Sequence, residues 1–266
     1  MYREIREITG DNQRSGLNIP LLKSIQIPLP PLEVQREIVA EIEVYQKVID
    51  GARTVFENYR PHVPIDPAWP VVDIGEIAAV ESGFGFPLDY QGKKDEAIPF
   101  LKVSDMNLVG NEQHISAWNH SISRDTLKEL KAKSFPEGTV IFPKIGAAIA
   151  TNKKRILSCE STYDNNVMGI VPKRDRLDTA FLHTYLLGFD LSKWASESQP
   201  PSMRKTVVES HKIPLPPLET QQAIVAEIEA EQALVAGNRD LIARFEKKIE
   251  RAITRVWGGA EEAAAA

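Results

Sequence analysis

The sequence predicts an α+β chain in which one globular domain is flanked by two long helices that pair as an antiparallel coiled coil. Three observations carry this reading: a Pro-rich heptapeptide that occurs twice, an amphipathic stripe behind each copy, and a run of strand and turn signals between the two.

The repeat sets the frame. Ile27-Pro28-Leu29-Pro30-Pro31-Leu32-Glu33 recurs as Ile213-Pro214-Leu215-Pro216-Pro217-Leu218-Glu219, an offset of 186 residues. In the same register Gln35 matches Gln221, Ile38 to Glu43 match Ile224 to Glu229, Gly51 matches Gly237, and Arg53 matches Arg239. The prolines fix φ and hold the chain extended, so each helix has to begin just after the last of them. Glu33, Glu37 and Glu219 then fall in first turns, where free backbone N–H groups favour negative charge. A ligand for a proline-binding module is the other reading of such a heptapeptide; its fixed attachment to a helix start, twice over, argues against that.

Behind the first copy, Val34, Ile38, Ile42, Tyr45, Ile49, Ala52, Phe56 and Tyr59 step by fours and threes along one face. Behind the second, Ile224, Ile228, Val235, Ile242, Phe245, Ile249, Ala252 and Val256 form a comparable seam. Helices of roughly 40 and 55 Å follow from a rise of about 1.5 Å per residue, and such lengths need a partner along the side. Residues 219–238 hold four glutamates and no Lys or Arg, whereas residues 239–255 hold six basic residues, so antiparallel pairing sets acidic starts beside basic ends. Gly51 and Gly237 predict a bend or a close helix approach at matching places.

Between the helices the texture changes. Pro61, Pro64, Pro67 and Pro70 make a rigid linker, Val71 to Val80 begin a domain, and after a Gly-rich turn at 82–87 strand candidates follow at 98–103, 139–142, 156–159 and 167–171, with a short helix at 179–188 packed on the sheet. The expected organisation is the tail of an incomplete preceding domain over 1–26, a first Pro-rich turn and helix over 27–59, the globular domain over 60–212, a second turn and helix over 213–257, and a flexible tail over 258–266. The first segment rests on the offset, which lays residues 1–26 on 187–212.

Composition excludes several classes. With 266 residues, 42% hydrophobic, the chain can bury real cores, and a net charge of −5 announces no general affinity for nucleic acid. Cys159 is the single cysteine, so neither a disulfide framework nor a cysteine-rich zinc site is expected, and a cytoplasmic location fits. Neither an apolar leader nor an 18-residue apolar run occurs, so no membrane partner is expected. His62, His114, His120, His183 and His211 lack metal-ligand spacing, and Asp164-Asn165-Asn166 lacks the context of an aminomethyltransferase motif; no catalytic residue, metal or cofactor is assigned. Residues 124–155 carry a local excess of five positive charges, which suits phosphate neutralisation. Segments 151–155 and 163–166 add side chains able to read base edges.

The repeated helix starts and the domain between them resemble the DNA specificity subunit of type I restriction-modification systems. Further matches are Trp69 to Ile77 with Ser82-Gly83, Ile98 to Met106, Gly138 to Ile141 leading to Lys144-Ile145-Gly146-Ala147, Asn165 to Pro172, and Phe181 to Leu187. The resemblance implies that the globular part is a target-recognition domain reading one half of a bipartite double-stranded DNA target. It also implies a coiled coil acting as a ruler, and no chemistry in this chain. Partner modification subunits would methylate adenine with S-adenosylmethionine, and restriction subunits using ATP would join them. A single complete recognition domain leaves three readings open: a C-terminal part, a half-length form that homodimerises, and a truncated product. A coiled-coil adaptor that binds the methyltransferase without reading DNA is the alternative function. Expected DNA contacts are Lys93, Lys94, Lys102, Asp105, Lys144, Asn152, Lys153, Lys154, Arg155, Tyr163, Asn165 and Arg204. Expected coiled-coil contacts are Ile38, Ile42, Tyr45, Ile49, Phe56, Ile224, Ile228, Val235, Ile242, Phe245 and Ile249.

Overall fold

The computed structural model describes Lys23, Ile27 and residues 29–264, with side chains through Val256. The expected domain tail at 1–26 therefore lies almost wholly outside the described residues. The chain divides into a paired-helix unit, up to Tyr59 and from Leu234 onward, and a globular unit, Arg60–Ala233.

The first helix, α1 (Leu32–Asn58), starts directly after Pro31 and ends where Tyr59 turns extended. Its partner is the later part of α6 (Leu218–Ala264). The cross-helix contacts run in opposite directions along the two sequences. Glu41 pairs with Arg255, Tyr45 packs edge-on against Phe245 with ring centroids 5.5 Å apart, and the Arg239 guanidinium lies 4.5 Å from the centre of the Phe56 ring. Lys248 covers both rings of the Tyr45–Phe245 pair. Ascending numbers on α1 thus meet descending numbers on α6, and the pair is antiparallel. Ile49, Ala52 and Ala252 are buried in the seam, and Ile38, Ile42, Tyr45, Phe56, Val235, Ile242, Phe245 and Ile249 are half-buried along it.

Three expectations about the helices are corrected. Both run unbroken through Gly51 and Gly237, and a Cβ at either would meet nothing within 4 Å, so these glycines neither break the helices nor mark a close approach. Helix α6 continues to Ala264 rather than yielding to a tail at 258. Ile224 and Ile228 are absent from the helix seam. They sit with Val225 in the main core of the globular unit, because the first four turns of α6 belong to that unit.

The globular unit is built from three sheets. Strands β1 (Val71–Asp73) and β10 (Lys212–Pro214) pair antiparallel, with Val71 opposite Pro214, which joins the beginning of the domain to its end. The five-stranded sheet has the order β2-β9-β6-β7-β4, from β2 (Ala78–Ser82), β4 (His114–Ile115), β6 (Val140–Pro143), β7 (Arg155–Leu157) and β9 (Val167–Pro172). The third, β5-β3-β8, is made by β3 (Ile98–Leu101), β5 (Ser121–Ile122) and β8 (Thr162–Tyr163). Central strands β6 and β9 are apolar almost throughout because both of their faces are covered. Four short helices complete the unit: α2 (Ile74–Ile77), α3 (Arg124–Glu129), α4 (Thr179–Leu187) and α5 (Lys205–Glu209). Phe181, Leu182 and Leu186 of α4 pack with Val140, Phe142 and Ile156, as the helix signal at 179–188 predicts. No helix among the described residues is long and apolar enough to cross a membrane.

One polar residue binds α6 to this core. Gln221 is fully buried: its Nε2 donates to Pro216 O (2.8 Å) and Arg176 O (2.9 Å), and its Oε1 accepts from Asp178 N (2.8 Å). Asp178 in turn caps α4 by accepting from Phe181 N. The repeat equivalent, Gln35, makes the first of these bonds, from Nε2 to Pro30 O at 2.7 Å.

Candidate nucleic-acid interface

Five segments distant in sequence meet at one end of the sheets. Strand β2 ends at Ser82, whose hydroxyl accepts from Lys144 Nζ at 3.2 Å. Lys144 follows β6 and is fixed by its backbone, donating to Asn166 O (2.7 Å) and accepting from Met203 N (3.0 Å). The turn between β8 and β9, Asp164–Asn166, lies against Gly83, where an added Cβ would come within 2.0 Å of Asp164 O; only glycine permits this approach. Asp164 N donates to Leu101 O, which brings in Lys102 at the end of β3. Residues 201–203 run along 144–146 and deliver Arg204.

Of the twelve expected DNA contacts, Lys102, Lys144, Asn165 and Arg204 are brought together here. Asn165 and Arg204 are exposed, and Lys102 and Lys144 are half-buried with their ammonium groups on neutral oxygens, Gln91 Oε1 (2.5 Å) and Ser82 Oγ. Lys93 and Lys94 are exposed beside β5: Lys93 pairs with Glu96 at 3.2 Å, and the carbonyl of Lys94 accepts from the Trp118 indole. Lys153 lies on the flank and donates to Asn107 Oδ1.

The other five are structural. Asp105 is fully buried and accepts from Lys102 N (2.7 Å), Asn119 N (3.0 Å) and Asn119 Nδ2 (2.8 Å), so its carboxylate shapes the chain around Lys102 and faces no groove. Lys154 is buried, donates to Asn152 Oδ1 (2.8 Å) and Phe189 O (2.6 Å), and is pulled down to about 8 by desolvation, with Asp190 opposing the shift. Asn152 adopts the left-handed conformation at φ 54° and spends its side-chain oxygen on Lys154 and on Leu191 N. Arg155 donates to Lys154 O and Met106 O, with burial lowering its affinity for the proton. Tyr163 is buried in a stack against Phe135, its hydroxyl donates to Glu81 O, and burial raises its pKa. For Lys154 and Arg155 the reason lies in the strand. An extended chain sends alternate side chains to opposite faces, so the basic run 153–155 leading into β7 cannot lie wholly outside.

Composition concealed the supporting residues. Asp164 is buried, and burial raises its pKa against the hydrogen bonds from Asn166 N and Nδ2 that lower it. Asp105 and Asp164 at this surface are therefore both buried and engaged with amides. Lys205 adds a further cation, 4.0 Å from Glu81. Ser82-Gly83 was legible as a motif, but its role as the seat of Lys144 and of the 164–166 turn depends on strand register. His120 accepts from Gly92 N and has its pKa lowered by burial first and then by Lys102. Among the described residues, no group of three or more His, Cys, Asp or Glu could hold a metal ion.

Comparison with known proteins places this arrangement. The type I restriction enzyme MjaVIII specificity subunit of Methanocaldococcus jannaschii is 25% identical, over 92% of this chain and 66% of its own length. The chain spans less than two thirds of the length of the curated relatives it matches. Among solved structures, the HsdS subunit of Thermoanaerobacter tengcongensis shares the fold at a TM-score of 0.56 and 20% identity, covering 93% of this chain and 64% of that one. A chain from a structure of type I R-M complex assembly and conformational transition gives a TM-score of 0.61 at 20% identity, covering 92% and 64%. Residues 67–246, well over half of the sequence, match the type I restriction modification DNA specificity domain, and the chain belongs to that family.

Proposed function

We propose that the chain reads a double-stranded DNA target and positions modification subunits, adenine methyltransferases, and through them restriction subunits on a bipartite site. The carrying observation is the convergence of Lys102, Lys144, Asn165 and Arg204 from separate loops onto one surface, beneath which Asp105 and Asp164 are buried. Cations so placed suit phosphates and fix register on the duplex. An exposed amide on a turn held by its neighbours suits an adenine edge in the major groove. The paired helices would seat the modification subunits, which would hold S-adenosylmethionine, and the restriction subunits would use ATP; the chain itself would supply recognition and no chemistry.

Salt-titrated binding to matched and mismatched duplexes, with the cognate modification subunit present, tests this. Lys144→Ala and Arg204→Ala should weaken binding to all duplexes and each reduce the salt slope by about 1. Asn165→Ala should cost about 1–3 kcal/mol on the matched target and relax preference at one position. Co-purification with the methyltransferase but no salt-dependent duplex affinity would replace this reading with that of an adaptor. The mass of the free protein by light scattering separates a homodimer, which would carry two recognition domains, from a monomer.

A further inference from the structure

The loop between β2 and β3 is held at several points. Phe84 N donates to Tyr163 O at 2.9 Å. The Phe86 ring lies flat on buried Phe100, with centroids 3.6 Å apart, and Lys102 Nζ is 5.5 Å from its centre. Gln91 Nε2 donates to Phe86 O (2.9 Å) while Gln91 Oε1 accepts from Lys102, and the Tyr90 hydroxyl donates to Glu129 (2.8 Å). A 3-10 turn, Leu88–Tyr90, closes through Gln91 N to Leu88 O. Leu88 stands at the crest of this loop, 82% exposed.

A lone exposed leucine is ordinary on a protein surface. Leu88 differs in its setting: its backbone is fixed on both sides, and Phe86 and Gln91, which flank it, both touch Lys102 of the interface. A branched alkyl group presented by an ordered loop beside Lys102 has one apolar complement on the base edges of the major groove, the C5 methyl of thymine. We propose that Leu88 is a specificity-determining residue that contacts a thymine methyl in the target. This rests on the DNA-recognition reading above.

The test begins with the target, obtained by mapping sites methylated with the cognate modification subunit or by selection from random duplexes. Each thymine is then replaced in turn by uracil, which pairs alike but lacks the methyl. One replacement should weaken wild-type binding roughly fourfold, the effect of losing one buried carbon. Leu88→Ala should bind the thymine duplex as weakly as the wild type binds that uracil duplex, and should be indifferent to the replacement. Ile65→Ala, a change at a residue 64% exposed in the linker before β1, should alter neither. If no thymine is sensitive, or if Leu88→Ala keeps the wild-type sensitivity, the inference is overturned while DNA recognition stands. Failure of the wild type to bind any duplex would overturn both.

Discussion

The two copies of the Pro-rich turn share a sequence and a local geometry but not an environment. Both helices begin at the leucine after the second of two adjacent prolines, and in both the glutamine three residues later donates back to a prolyl carbonyl. Leu215 is 8% exposed and Val225 9%, whereas their counterparts Leu29 and Val39 are 84% and 54% exposed. Local sequence therefore dictates where the helix starts, and the tertiary partner dictates what that start is worth. The second copy gains a core from β-strands and from the 174–178 loop; the first leaves Leu29 and Val39 exposed and half-buries Ile38 and Ile42 along the helix seam.

Substitutions at matched positions should expose this difference. Ile228→Ala removes side-chain volume from a packed core and should cost about 3 kcal/mol, while Ile42→Ala on the half-buried seam should cost about 1 kcal/mol. Urea denaturation followed by near-UV circular dichroism reads both, and equal effects would break the comparison. Gln221→Ala strands Asp178 N and Arg176 O inside the protein and should cost about 2 kcal/mol; Gln35→Ala, which loses one bond to the adjacent turn, should cost less than about 1 kcal/mol.

Acid should separate the two units more gently. Burial pulls His183 on α4 down to about 4 from its ordinary 6.5, so between these values the unfolded chain binds a proton that the folded one does not. Stability of the globular unit is then complete above pH 6.5 and falls as pH drops toward 4. Residues 32–59 and 234–256 contain no histidine, so the paired helices should show no step in that window. His183→Gln should reduce the slope in the globular unit, leaving the part due to His120 and His211, which burial also lowers, as checked by thermal melts across pH 4–7.

These contrasts also mark what the sequence could and could not disclose. The repeat, the pairing direction and most long strands follow from periodicity and charge, which act along the chain. Ile224 and Ile228 continue the same stripe as Val235 and Ile242, and nothing in the stripe says where one neighbour gives way to another. The candidate site divides in the same way. Lys144, Asn165 and Arg204 were identifiable as polar residues in or beside loops, but Lys153, Lys154 and Arg155 look alike in sequence and separate only once β7 has a register beside β6. Buried Asp105 occurs in a motif that the resemblance brought forward and Tyr163 in a segment chosen for its polar side chains, and the work of both is to hold neighbouring segments in place.

The ribbon formed by β1 and β10 has a further consequence. Val71 faces Pro214, and Leu215 N donates to Pro70 O at 2.8 Å, so everything between these points leaves and returns through a single clasp. Directly opposed residues on antiparallel strands have Cα atoms about 5 Å apart, a gap that an unrelated insert of the same fold can meet without disturbing its host. The segment therefore begins and ends at one place. A graft of another domain of this fold between Pro70 and Leu215 has to reproduce that clasp, the two backbone groups offered to Gln221, and a core surface for Ile224, Val225 and Ile228.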